Sequence, residues 1–367
     1  MFYETEMLLP YTWDPIEHVN VNELLVISER PLSYWKPVIN TSNQYEEVYK
    51  ISFSDGASTL VTKDHIFNTK RFGLQQWEEK TVEELITFLN NHPVNIPPVN
   101  LYCCFGSCTY NQDTVPPDTI EVSTIDYPLN FFQQDLRPLP PYWLGVLTMR
   151  GLLNREEPLG VLDPELVNIM AQSEYGYNRH RVIEPPLREL DNEDDIYKFF
   201  SYESTGNRSQ LSLDLENLEL LYTDRCNRLI HPSYLFTDYH DRLQLLKGLM
   251  DAAGFLDLIT GIAKIRIYSQ QLVDDIFFLV RSMGGWVNIK PAGGGTYWLL
   301  DIYMQTSPFS RPGLASQYKP INAVPPRYIE SIELVDSNGS VHLIDIGLKE
   351  PFLISKSASN NDFIVSK

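Results

Sequence analysis

The secondary-structure signals of this chain change character twice along its 367 residues, and the two outer stretches are alike. Residues 1–125 read as β-rich. There "EEVYKISFSDGASTLVTKDHIF" alternates apolar and polar positions on both sides of Ser54-Asp55-Gly56, which predicts a hairpin. The same stretch holds one short amphipathic helix, "TVEELITFLNNH" (81–92), with Thr81 as its N-cap, while "NIPPVN" and "DTVPPDT" read as loops. Residues 311–367 return to strands: "RYIESIELVDSNGSVHLIDIGL" predicts two strands joined at "DSNGS", and "NDFIVSK" a further short one. A chain that begins and ends in strands around a helix-bearing middle is expected to be α+β, with one fold split by another.

The middle, about 126–310, carries helical patterns at "PPYWLGVLTMRGLL" (140–153), "DIYKFFSYE" (195–203), "YHDRLQLLKGLMDAAG" (239–254) and "SQQLVDDIFFLVRSMGG" (269–285). The last has Ser269 as N-cap, one apolar face (Leu272, Val273, Ile276, Phe277, Val280, Met283) and a closing glycine pair. Strand-like pieces follow, "AKIRIYS" (263–269) and "GGWVNIKPAGGGTYWLLDIYM" (284–304). Helix then hairpin, twice over, suggests an internal duplication.

Composition bounds the function. At 43% hydrophobic and 21% charged the chain can bury a globular core, and its 12% aromatics, with 21 Tyr, suit cores and interfaces alike. The net charge of −19 disfavours a general affinity for phosphate backbones, although a local basic groove is compatible with it. Three of the four Cys lie in "CCFGSC" (Cys103, Cys104, Cys108), which is not a zinc spacing; with Cys226 they read as buried free thiols of a reducing compartment. No apolar run is long enough for a membrane span and the first residues lack a basic leader, so the expectation is a soluble, cytoplasmic protein without a membrane partner.

Short motifs along most of the chain resemble inteins that carry an inserted LAGLIDADG homing endonuclease. "VYKISFSDGASTLVTKDHIF" is similar to a block of the β-rich Hint splicing domain, with Thr62 and His65 at the positions that polarise the upstream splice junction in that family. "YIESIELVDSNGSVHLIDI" and "DFIVSK" resemble its closing blocks, and "YWLGVLTMRGLL" and "LLKGLMDAAGFLD" the two endonuclease motifs. The resemblance implies a discontinuous Hint-like domain from 1–125 and 311–367 around a pseudo-twofold endonuclease-like domain over 126–310. It also implies that two helices meet at Gly145 and Gly248, and that each helix should end in a carboxylate holding divalent cations for phosphodiester hydrolysis.

At those positions this chain has Arg150 and Ala253. Both carboxylates are missing, so no catalytic residue and no cofactor is expected. Magnesium enters only if other acids, such as Asp251 and Asp257, serve as ligands. The splicing ends differ too: the chain starts Met1-Phe2-Tyr3, where the family has Cys or Ser, and finishes Ile364-Val365-Ser366-Lys367, where it has His-Asn. Thr62 and His65 are then relics with structural roles.

Other constellations have plainer readings. "GGGTYW" (293–298) lacks the strand–helix context of a phosphate loop and predicts a hairpin turn. "LRELDNEDDIYKFF" (187–200) reads as a solvated helix start or an acidic docking patch, and "NRHRVIEPPLR" as the densest basic segment, with Arg179, His180, Arg181 and Arg188. His231 and His240 lack metal spacing. The leading expectation is a non-catalytic relic repurposed as a protein-binding or structural subunit of a larger, multi-subunit assembly such as a phage virion, located in the host cytoplasm or the virion. The alternatives are a pseudo-nuclease gripping duplex DNA through Lys264, Arg266 and Lys290, and an active endonuclease.

Overall fold

The computed structural model describes 46–93, 115–124, 128, 129, 131, 138–150, 165, 166, 169, 217, 218, 224–320 and 324–336 with their side chains. It describes the backbone alone of 6–8, 13–15, 25–27, 33–34, 40–45, 101–104, 107–110, 337–345, 352–356 and 363–366. The expected helix at 195–203, the basic and acidic segments at 178–200 and the three clustered cysteine side chains lie outside the described residues. The protein is mixed α+β with antiparallel sheets, and none of the helices among the described residues is long and apolar enough to cross a membrane. Its contacts divide it into two compact units, Met1–Cys103 with Ser107–Phe131 and Ala323–Lys367, and Phe132–Asn322 with Cys104–Gly106.

The first unit is drawn from both ends of the chain. Short strands β1 (Glu6–Leu8), β2 (Trp13–Pro15), β3 (Leu25–Ile27) and β4 (Ser33–Tyr34) join β17 (Phe352–Lys356) in the order β2-β1-β17-β3-β4, and β18 (Phe363–Ser366) pairs with β17. The main sheet runs β6 (Ser58–Thr62), β5 (Asn40–Phe53), β16 (Arg327–Asp345), β11 (Ile120–Val122), β7 (Ile66–Arg71), β8 (Glu78–Thr81). β9 (Leu101–Cys104) and β10 (Ser107–Tyr110) pair as a separate two-stranded sheet. The β5–β6 turn falls at Ser54–Ala57, where Gly56 takes φ +84°. Helix α1 (Val82–Asn91) starts at Thr81 with a reciprocal capping box to Glu84 and packs Val82 and Leu85 into a core of Ile51, Phe53, Val61, Phe67, Ile120 and Ile329. Arg327, 2% exposed, is neutralised by Asp55 at 2.7 Å.

One expectation is corrected here. "DSNGS" does not turn the chain: β16 runs straight through it, pairing with β5 from Ile329↔Phe53 to Asp345↔Asn40. The extra residue between Asp336↔Val48 and Gly339↔Glu46 is absorbed as a register shift. A bulge and a hairpin turn ask for the same flexible polar residues, and the 14-residue β5 offers a partner on both sides of the irregularity.

In the second unit, helices α2 (Pro141–Arg150), α3 (Pro232–Leu235), α4 (Tyr239–Ala253), α5 (Gln270–Ser282) and α6 (Pro312–Ala315) accompany a four-stranded sheet. Its order is β12 (Gly254–Leu256), β13 (Ala263–Ile267), β15 (Tyr297–Tyr303), β14 (Trp286–Ala292). Ser269 accepts from the Leu272 amide to start α5, and Gly284 at φ +77° ends it. Ala263, Ile265, Ile267, Val287, Leu300 and Ile302 turn one face of the sheet inward, where α5 brings Leu272, Val273, Ile276, Leu279 and Val280, all buried. The β14–β15 hairpin turns on Gly293, Gly294 and Gly295, all at positive φ, so "GGGTYW" is a turn and not a phosphate cradle. The expected burial of the cysteines fails at Cys226, which is an exposed free thiol in the turn before α3. The helix–hairpin repeat is seen in its second copy only, the first falling largely outside the described residues.

Candidate functional site

Helices α2 and α4 pack backbone to backbone in the second unit. From Tyr142 to Thr148 every side chain of α2 is buried, so this helix is apolar on all sides. A Cβ on Gly145 would lie 2.7 Å from the Leu249 amide nitrogen, and one on Gly248 would lie 3.1 Å from the Val146 nitrogen and closer still to the Tyr142 carbonyl. The obstacles are backbone atoms of the facing helix, so only glycine permits this approach. Arg150 is the last residue of α2 and Ala253 the last of α4; both are exposed. Gly254 follows Ala253 directly and opens β12.

The end of α2 is cationic. Arg228 Nη1 donates to the Met149 carbonyl at 2.6 Å, satisfying one of the terminal oxygens of the helix. Its own carbonyl accepts from Ser269 Oγ at 2.6 Å, and the Ile230 amide donates to Asp275 at 2.7 Å, which pins this loop to α5. Burial first, and then the neighbouring Arg225, hold the Arg228 pKa below its ordinary value.

Asp251, a fallback metal ligand in the sequence reading, points into the unit and is 2% exposed. It accepts from Tyr142 Oη at 2.9 Å and from the backbone amides of Ser310 and Arg311 at 3.0 and 3.3 Å. It thereby ties α2, α4 and the segment before α6 together; Arg311 in turn pairs with Glu165 at 2.8 Å. Burial raises the Asp251 pKa against the pull of these donors, and burial together with the Asp251 charge raises that of Tyr142. Asp257, the second fallback, lies at the β12–β13 turn, where Lys264 Nζ at 3.0 Å lowers its pKa to about 2. The structure does not bring Asp251 and Asp257 together in one network.

The outward face of the sheet carries the expected cations, with a different balance. Lys264 and Lys290 flank the buried Asp301 at 3.8 and 2.8 Å, so Asp257, Lys264, Asp301 and Lys290 form one neutralised chain. Arg266 is exposed, its guanidinium 5.8 Å from the ring centroids of both Phe255 and Tyr297. Tyr297 meets Tyr268 at 5.8 Å, and Arg225 stands 5.2 Å over Tyr268. A stripe of arginine and aromatic side chains, in the order Phe255, Arg266, Tyr297, Tyr268, Arg225, therefore crosses the face. Its strand members were readable in part, because residues 264, 266 and 268 share a face by the two-residue period. Arg225 arrives from a loop and gave no local signal.

In the first unit Thr62 ends β6 and His65 lies just beyond it, 2% and 3% exposed. The His65 amide donates to the Thr62 carbonyl at 3.2 Å, its carbonyl accepts from the Val82 amide at 2.9 Å, and its ring stands edge-on to Phe67 at 5.0 Å. Burial lowers the His65 pKa well below its ordinary value, so the ring is neutral at physiological pH. His231 caps α3, its Nδ1 accepting from the Ser233 amide at 3.3 Å.

No protein-family model matches the chain, and no curated protein matches it in sequence. The functional reading therefore rests on the residues themselves.

Proposed function

We propose that this chain is a non-catalytic relic of an intein-borne LAGLIDADG endonuclease that works by binding, as a protein-binding or structural subunit of a larger assembly such as a phage particle. The observation that carries the reading is the pairing of two helices through Gly145 and Gly248 with Arg150 and Ala253 at their ends. The architecture that would present two carboxylates is kept while the carboxylates are replaced, one of them by a cation. Asp251 is held by Tyr142 and two backbone amides, and Asp257 by Lys264, which leaves both with structural work. Arginine and tyrosine on an open sheet face are residue types that concentrate binding energy at protein interfaces.

The purified chain is incubated with duplex DNA and magnesium at low and high salt. Unchanged, unretarded DNA is the expected result. Cleavage would establish an endonuclease with displaced magnesium ligands, and salt-sensitive retardation without cleavage a DNA-binding pseudo-nuclease. The second of these keeps one observation in its favour, Arg266 on the sheet face, which has no carboxylate partner among the described residues. The internal neutralisation of Lys264 and Lys290 argues against it.

A further inference from the structure

The turn between β12 and β13 holds two aliphatic side chains in water. Leu258 is 74% and Ile259 72% exposed, and Phe255 beside them is 37% exposed. This turn is braced: the Asp257 carboxylate accepts from the amides of Ile259 and Thr260 at 3.1 and 3.2 Å, the Asp257 amide donates to the Ile262 carbonyl at 3.0 Å, and Gly261 closes it at φ +75°. Apolar side chains on a pre-set turn bind with little further ordering. The arginine–aromatic stripe adjoins this tip through Phe255, which contacts Arg266.

We propose that the tip and the stripe form one docking surface for a partner protein that offers an apolar pocket to Leu258 and Ile259 and carboxylates to Arg266 and Arg225. The proposal rests on the reading of the chain as a binding protein and names the face and the chemistry of its partner. The carboxylates follow from charge: Arg225 and Arg266 have no carboxylate in hydrogen-bond or ion-pair contact among the described residues, in a chain whose net charge is −19. The pocket follows from the tip, which gives a sugar–phosphate backbone nothing to pair with. Lys264 and Lys290 on the same face are already held by Asp257 and Asp301, so they are not offered to phosphates. Protein is therefore favoured over nucleic acid.

The test uses the full chain with a photo-reactive benzoylphenylalanine at position 259 and, separately, at position 74, where the exposed Leu74 marks the other unit. After irradiation in an extract of the source cells, adducts are identified by mass spectrometry. The expected result is one protein captured from 259. The double variant Arg225→Glu, Arg266→Glu should lower that capture about tenfold or more, and converting an interfacial carboxylate of the captured protein to lysine should restore it. Both arginines are exposed, and circular dichroism checks that the variant folds. No capture from 259, capture indifferent to the charge reversal, or capture of a second copy of this chain would overturn the proposal. Capture from 74 alone would sink this face while sparing the protein-binding reading. Anisotropy with fluorescent single-stranded and duplex oligonucleotides supplies the remaining arm: binding abolished by the same double variant would overturn both.

Discussion

Replacing Gly248 with alanine adds one methyl group where the facing helix leaves no room. The new Cβ would sit 3.0 Å from the Tyr142 carbonyl carbon and 3.1 Å from the Val146 nitrogen, with the Tyr142 oxygen nearer. These are helix backbone atoms, so α2 must shift as a body. Opening the crossing by even a fraction of an ångström weakens contacts around it. With about 20 atom pairs worth about 0.1–0.2 kcal/mol each, losing about a third costs about 1 kcal/mol. Overpacking strain adds about 2 kcal/mol. Against this, alanine favours the helix by about 1 kcal/mol. The balance is a destabilisation of about 2 kcal/mol. With a urea slope of about 2 kcal/mol/M, the midpoint of this unit falls by about 1 M. Urea titration followed by fluorescence, together with hydrogen exchange of the peptide Pro141–Arg150, reads the effect. Gly313→Ala is the internal control, because a Cβ there meets nothing within 4 Å. Its expected change is neutral to slightly stabilising. If Gly248→Ala gains stability as the control does, the helices are not in backbone contact and the account of the pair fails.

Four further outcomes follow from named contacts. Tyr142→Phe removes the hydroxyl that donates to Asp251 and should cost about 1–3 kcal/mol by urea unfolding. Because burial raises the Asp251 pKa, its contribution to stability is full below the unfolded-state value and lost as pH rises through the folded one. Wild type should thus lose melting temperature relative to Asp251→Asn as pH is raised from acid, and a constant difference would contradict this. His65 behaves oppositely: a depressed pKa gives stability that is present above the unfolded-state value of about 6.5 and lost as pH falls towards the folded one. The acid-induced drop in melting temperature of the strand-rich unit should shrink in His65→Gln. Finally, Asp257→Asn with Asp301→Asn frees Lys264 and Lys290, so salt-sensitive retention of duplex DNA should appear in the double variant and be absent from wild type.

What the sequence made legible were features whose causes are local. Thr81 and Ser269 announce helices because a hydroxyl there satisfies an amide three residues on. The glycines of "SDG" and "GGG" announce turns because they sit at positive φ. The course of "DSNGS" was not legible, because turn or bulge depends on the length of β5, far away in the chain. Nor was the engagement of Asp251, whose donors come from Tyr142 and from Ser310 and Arg311, 109, 59 and 60 residues distant. Lys264 and Lys290 read as phosphate contacts in the sequence, but Asp301, opposite Lys264 in register and diagonal to Lys290, lies between them.

The pairing of β5 with β16 also carries a cost in time. On the ribosome, Asn40–Phe53 emerges with one neighbour available, the hairpin strand β6, while its other edge waits for Arg327–Asp345. At about 5–20 residues per second, the roughly 270 residues between them take about 15–55 s to synthesise. Throughout that interval a long, half-apolar strand is open to any passing β-edge, so nascent-chain aggregation, or a chaperone shielding Ile51 and Phe53, is decided before the second unit has finished folding.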